Sequence, residues 1–323
     1  MIKFKLELYS ILELFVKPNS MSIKVQEVSK LYGKQKALDN VSFEINQGEV
    51  VGFLGPNGAG KSTMMKIITG FVPQSSGLVE VNGLNIEEHS LEVRRQIGYL
   101  PEHNPLYLEM YVKEYLDHVA SIYKLGKAKQ SRIAEMIDLT GLGLEQNKKI
   151  GALSKGYRQR VGIAQALIHD PKVVILDEPT TGLDPNQLVE IRNLIQEIGK
   201  QKTVMLSTHI MQEVEACCER ALIINKGNLV ADKKIENLSS ELSSKIIEVE
   251  FASDISMDIL NQHERIKEVI SLGDNKFSIS SSDDIRKDIF QMAVNNNWEL
   301  LEMKSKTQRL EDLFHQLTVN DDQ

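Results

Sequence analysis

The sequence is poor in the features that hold small secreted proteins together. Its only two cysteines, Cys217 and Cys218, are neighbours that cannot close a useful loop, so a disulfide scaffold is excluded. Aromatic residues make up 6% of the chain and the formal net charge is −7. That leaves neither the stacking surface nor the broad positive field that nucleic-acid binding draws on, although a local basic patch stays open. Apolar runs are short as well, the longest being stretches such as Val173–Leu176 and Ala221–Ile224. A bilayer crossing needs roughly 20 consecutive apolar residues, so this chain does not form a membrane pore by helices.

The first twenty residues are mildly apolar but broken by Lys5, Glu7 and Glu13, with no small-residue cleavage site, and make a poor signal peptide. Met21 stands just before the first clean strand pattern. Residues 1–21 therefore read as an extension, either a short amphipathic helix or a stretch upstream of the true start, the second being preferred.

What is present is length and order. With 323 residues, one large domain or two are expected. From Ser22, period-two alternation predicts strands through residue 46, a turn at Asn46-Gln47-Gly48 and a buried strand Val50–Leu54. A helix over Ser62–Thr69, stopped by Gly70, and a strand Gly77–Val81 follow. Residues from about 112 to 147 read as mostly helical. A helix from Lys155 to His169 ends at Asp170-Pro171, and then come strand Val173–Leu176, helix Pro185–Gly199 and strands Thr203–Ser207 and Ala221–Asn225. Strands alternating with helices predict an α/β sheet.

The character changes near residue 238, where Leu238 to Ser244 reads as a linker or short helix. Residues 239–323 carry 9 Lys and Arg against 17 Asp and Glu, so the acidity belongs to the tail. Its pattern is strand 246–251, helix 255–262, strand 266–272, strand 276–280, helix 284–294, strand 298–303 and a last helix 308–317. The order βαββαβ predicts a small α+β domain of the split βαβ, ferredoxin-like plan. Ile285, Ile289, Met292 and Ala293 fall on one helical face and are expected in its core.

The chemistry lies before the tail. Gly55-Pro56-Asn57-Gly58-Ala59-Gly60-Lys61-Ser62-Thr63 fits the P-loop pattern, directly after an apolar strand and directly before a helix. Backbone N–H groups freed by the glycines, and the positive end of the helix dipole, suit phosphate oxygens. Lys61 is expected to reach the β and γ phosphates and Ser62 to ligate Mg²⁺. Two carboxylates, Asp177 and Glu178, end the apolar strand 173–176. Alone they would merely terminate a strand; beside a P-loop, Asp177 suits the metal and Glu178 the general base.

Leu153-Ser154-Lys155-Gly156-Tyr157-Arg158-Gln159-Arg160, followed by Asp177-Glu178, Gly182-Leu183-Asp184 and Ser207-Thr208-His209, resembles the nucleotide-binding subunit of ATP-binding cassette (ABC) transporters. The resemblance covers roughly residues 22–238, with a helical subdomain at about 100–169. It implies a P-loop ATPase fold in which Ser154 and Gly156 start a helix that caps the γ-phosphate bound to an opposite subunit. Two sites would then close a head-to-tail homodimer. His209 would contact the γ-phosphate and orient water, Asp184 would lie in the loop joining the two sites, and Tyr32 would stack on adenine. On its own, Ser154 is an ordinary N-cap and Tyr32 half-buried packing.

Three residues depart from the family pattern. Glu102, in Tyr99-Leu100-Pro101-Glu102-His103, replaces a glutamine, keeping an oxygen for Mg²⁺ but losing the amide donor of a coupling loop. Lys155 stands for a glycine and Tyr157 for a glutamine. These departures and the acidic tail resemble the branch serving exporter-type permeases on separate chains, and within it the gliding-motility-associated ATPases. The resemblance implies an ATPase using ATP and Mg²⁺, partnered by a second ATPase subunit and integral membrane permease subunits, cytoplasmic and peripheral to the inner membrane, with no nucleic acid. A soluble ABC ATPase acting on ribosomes or DNA is the rival.

Overall fold

The computed structural model describes residues 21–241, 245–253 and 255–307, with 311, 314 and 318. The extension before Met21 and nearly all of the expected last helix lie outside the described residues. Met21 itself opens the first strand. The chain divides into two compact units, the first ending at Lys233 and the second beginning at Lys234.

In the first unit, β1 (Met21–Tyr32), β2 (Gln35–Asn46), β3 (Val50–Leu54) and β4 (Ser76–Val81) follow the alternation of the sequence. A short β5 (Leu84–Asn85) completes an antiparallel sheet of order β2-β1-β4-β5. The second sheet, order β10-β9-β3-β8-β7-β6, uses β6 (Ile97–Leu100), β7 (Val173–Asp177), β8 (Thr203–Thr208), β9 (Arg220–Asn225) and β10 (Asn228–Lys234). From β9 through β6 every neighbouring pair is parallel. A parallel strand is covered on both faces, which is why β3 and β7 are buried along their whole length and read as unbroken apolar runs.

Helix α1 (Lys61–Ile68) joins the two sheets. Met64, Met65, Ile67 and Ile68 are fully buried in one apolar cluster with residues of β1, β2 and β4 and of β3, β7 and β9. Each such side chain is worth about 1.5–3 kcal/mol, which pins the start of the helix at the end of β3. Helix α2 (Ser90–Gln96) precedes β6. The expected helical block at 112–147 resolves into α3 (Val112–Ile122) and α4 (Lys129–Leu139), and the helix expected from Lys155 to His169 is α5 (Lys155–Leu167). Arg132 of α4 donates to the carbonyls of Leu167 and Ile168 at 2.8 and 3.2 Å, a cation on the C-terminal end of α5. Helices α6 (Pro185–Gly199) and α7 (Met211–Cys217) complete the unit.

The second unit opens with α8 (Ile235–Glu241), whose Leu238 is buried, where the sequence left linker and helix open. Then come β11 (Lys245–Phe251), α9 (Met257–Asn261), β12 (Ile266–Gly273), β13 (Lys276–Ser281), α10 (Arg286–Asn295) and β14 (Leu300–Thr307). The strand order is β12-β13-β11-β14 with every pair antiparallel, the arrangement of a split βαβ sheet. Ile285, Ile289 and Ala293 are buried and Met292 packs against the same cluster. Helix α10 starts two residues later than expected because Asp284 accepts the Arg286 N–H at 3.3 Å and leaves Ile285 outside helical geometry.

Candidate functional site

The P-loop closes the gap between β3 and α1 beside a cleft of about 720 Å³. Asn57, Gly58, Gly60, Lys61, Ser62 and Thr63 line the cleft, while Gly55 and Ala59 are buried behind them. Gly60 has φ 112°, and a Cβ there would stand 2.7 Å from the Ala37 carbonyl, so only glycine allows α1 to begin at this point. The Lys61 ammonium is buried, donating to the Gly55 carbonyl at 2.7 Å and the Pro56 carbonyl at 3.2 Å.

The register of the parallel sheet brings the carboxylates to this loop. Asp177 sits opposite Ser207 of β8, whose hydroxyl donates to Asp177 Oδ1 at 2.5 Å; Ser62 donates to the same oxygen at 3.2 Å. Glu178 follows with φ 50°, a left-handed conformation costing a side-chain-bearing residue about 1–3 kcal/mol. Its N–H donates to the Ser207 hydroxyl at 3.0 Å, which helps hold it there. Both carboxylate oxygens are engaged: Oε1 lies 3.5 Å from Lys61 Nζ, and Oε2 accepts from Thr181 at 3.1 Å and lies 2.9 Å from His209 Nδ1. Asp177 and Glu178 are 2% and 7% exposed, and carboxylates so buried are kept only where partners compensate them.

Ser62, Asp177 and, at the cleft lining, Glu102 offer only oxygen donors. Magnesium takes one or two carboxylates and leaves positions for phosphates and water, so this set fits it. Among the described residues no group of three or more His, Cys, Asp or Glu could form an all-protein metal cage. Tyr32 lines the cleft 47% exposed, with Lys30 Nζ 5.1 Å from its ring centroid.

Ser154, Gly156 and Asp184 are not among the residues lining this cleft. Ser154 caps α5, accepting the Tyr157 N–H at 3.3 Å; Asp184 caps α6, accepting the Gln187 N–H at 2.9 Å. Gly156 is buried, and a Cβ there would stand 2.5 Å from the Gln187 side chain. Gly156 and Asp184 both meet Gln187, and Lys155 lies over Gly182 of the connecting loop. Sequence reasoning missed Ser207 and Thr181 as supports of the two carboxylates. Ser207 stands two residues before His209 at the end of an apolar strand, and its pairing with Asp177 comes from the β7–β8 register.

Residues 38–181 match the family described as ABC transporter. The bacitracin transport ATP-binding protein BcrA of Bacillus licheniformis is 33% identical over 301 residues, spanning 92% of this chain and 97% of that protein. The chain belongs to the ABC transporter family. The linearmycin resistance ATP-binding protein LnrL of Bacillus subtilis (strain 168) is 36% identical, covering 70% of this chain and 73% of that one. The dimeric post-hydrolysis structure of the ATP-binding cassette MJ0796 bound to ADP and Pi shares 28% identity and a TM-score of 0.61, over 66% of this chain and 98% of the cassette. As a member of the family the chain is an ATP-binding subunit and an ATPase, working on ATP with Mg²⁺, with an α/β P-loop fold.

Proposed function

We propose that the chain is the ATP-hydrolysing subunit of an exporter, working as a head-to-tail homodimer bound to a separate membrane permease. The observation that carries the reading is the division of the nucleotide machinery. One cleft is lined by Lys61, Ser62, Glu178 and His209, with Asp177 behind it hydrogen-bonded to Ser62, whereas the Ser154 helix start and Asp184 stand apart from it. A second copy is needed to bring its Ser154 helix start to the γ-phosphate, where N–H groups and the helix dipole favour negative charge.

Within the site, Lys61 is drawn by nucleotide phosphates from the Gly55 and Pro56 carbonyls and from Glu178. Glu178, relieved of that cation, is the base that takes the proton of the attacking water, while Thr181 and His209 fix its other oxygen. Ser62, Asp177 and Glu102 would hold magnesium, which would supply neutralisation of the charge on the transferred phosphoryl group. Tyr32 stacks on adenine. Lys155 adds positive charge near the phosphate of the opposite site.

A second cleft supports the permease partnership. Leu91, Arg94, Arg95, Ile122, Tyr123 and Leu125 line it, and Leu91 and Ile122 are 62% and 63% exposed. Apolar side chains so exposed beside cations suit an amphipathic cytoplasmic segment of a membrane protein. Among the described residues no helix is long and apolar enough to cross a membrane, so a separate spanning subunit is needed for transport by such helices. Export is favoured by the names of BcrA and LnrL, and the gliding-motility branch is the narrower form of this proposal, resting on the sequence resemblance. The location that follows is the cytoplasmic face of the membrane.

The test is a pull-down from detergent-solubilised membranes with Glu178→Gln as bait and Lys61→Ala as control. Recovery of a multi-span membrane protein is expected. Recovery of ribosomes or nucleic acid without one overturns the reading in favour of the soluble rival.

A further inference from the structure

One buried donor beside the nucleotide cleft has no work in the scheme above. The Tyr99 hydroxyl is shielded from solvent and makes no hydrogen bond to any of the described residues. Its ring packs against the apolar cluster beneath the sheet, a task phenylalanine would perform equally well. The hydroxyl is therefore the part that needs a reason, because a buried donor without an acceptor is destabilising.

Strand register says what lies near it. Tyr99 of β6 is paired with Ile175 of β7, and side chains two residues apart in a strand share a face, so Tyr99 and Asp177 project to the same side of the sheet. That side also carries α1, whose Ser62 reaches Asp177. Glu102 follows Tyr99 by three residues at the cleft lining. Burial, followed by the negative charges of Asp177 and Glu102, pushes the Tyr99 phenol well above its ordinary range, so it stays a protonated donor. Both hydroxyls that reach Asp177, those of Ser62 and Ser207, land on Oδ1.

We propose that Tyr99 is a positioning residue of the metal site, its hydroxyl donating to a water of the magnesium shell between the Asp177 and Glu102 carboxylates. Magnesium gives up its waters reluctantly, and a shell water held by a fixed donor keeps the carboxylates and the ion in register. The proposal rests on the reading that Asp177 and Glu102 hold the metal. It also gives a reason for a tyrosine there, since a shell water would be the acceptor that the buried hydroxyl needs.

Tyr99→Phe tests this in the full chain, with thermal unfolding followed as Mg²⁺ is titrated at saturating ATP. Without metal, the variant is expected to melt at or above the temperature of the parent. The Mg²⁺ concentration giving half of the metal-dependent rise in Tm should increase roughly five- to tenfold, the loss of one hydrogen bond near a charge. ATP binding in EDTA should be unchanged. A metal-free protein that melts lower with an unaltered Mg²⁺ midpoint would make the hydroxyl structural and overturn the proposal, as would no change in either quantity. Asp177→Asn runs in parallel: if it raises the Mg²⁺ requirement and Tyr99→Phe does not, the Tyr99 role fails alone; if it does not, the metal assignment itself fails.

Discussion

The two units of the chain treat charge in opposite ways. The first buries Lys61, Asp177, Glu178 and Glu213 around one loop, together with the hydroxyls of Ser207 and Thr208. In the second, Ser281 is the one buried polar residue among those described, and the core is Phe251, Phe277 and Trp298 with aliphatic neighbours. Its acidity is carried on the surface, as with Asp284, exposed and paired with Arg286. Taking a carboxylate out of water costs several kcal/mol unless it is compensated. The first unit accepts that cost, and a left-handed Glu178, at the place proposed for the chemistry. The second unit is built for packing and keeps its charges in solvent.

Three substitutions sharpen this contrast. Glu178→Gln should lower ATP turnover by about 10²- to 10⁴-fold with little loss of fold, read by phosphate release and thermal unfolding. A stability loss without a turnover loss would mean that the buried carboxylate is structural. Phe251→Ala in the second unit should do the reverse, costing about 3–5 kcal/mol in calorimetric unfolding while ATP affinity is unchanged. An equal loss of nucleotide binding would show that the contrast is false.

The smallest effect concerns pH. His169 is held neutral, its pKa pushed down to about 4, first by burial and also by the charges of Arg132 and Lys202. Its ring stacks on Tyr123 at 3.9 Å and its Nε2 lies 3.1 Å from the Ile97 carbonyl. Since the unfolded chain binds this proton near pH 6.5 and the folded one does not, stability is full above pH 6.5 and declines as pH falls towards 4. The loss should be roughly 2 kcal/mol between pH 7 and pH 4.5, and His169→Phe should reduce it, as measured by urea unfolding at the two pH values.

Local pattern carried much of this structure. Alternation marked β1, β2 and β4, and Pro185 and Gly199 marked both ends of α6. The P-loop and Asp177-Glu178 were legible because each needs particular residues in a row. Helix α2 and strand β6 were not, since Ile97–Leu100 is four residues with an internal glycine and takes its strand form from pairing with β7. Helix α7 and strand β10 were missed as well, one being seven residues and the other mostly polar. The contacts that make the site, Lys61 with Glu178 and Ser207 with Asp177, join residues on different elements, and no local spacing encodes them. Tyr99 belongs with these: its position in a short strand gives no hint that its hydroxyl is buried and unpaired.

The central claim is that one chain holds half of each ATP site and a second copy completes it. Sedimentation velocity of Glu178→Gln, with and without ATP, tests this most directly. The account predicts monomer without nucleotide and a dimer with ATP, abolished by adding Lys61→Ala. A protein that binds ATP to saturation and still sediments as a monomer would contradict it.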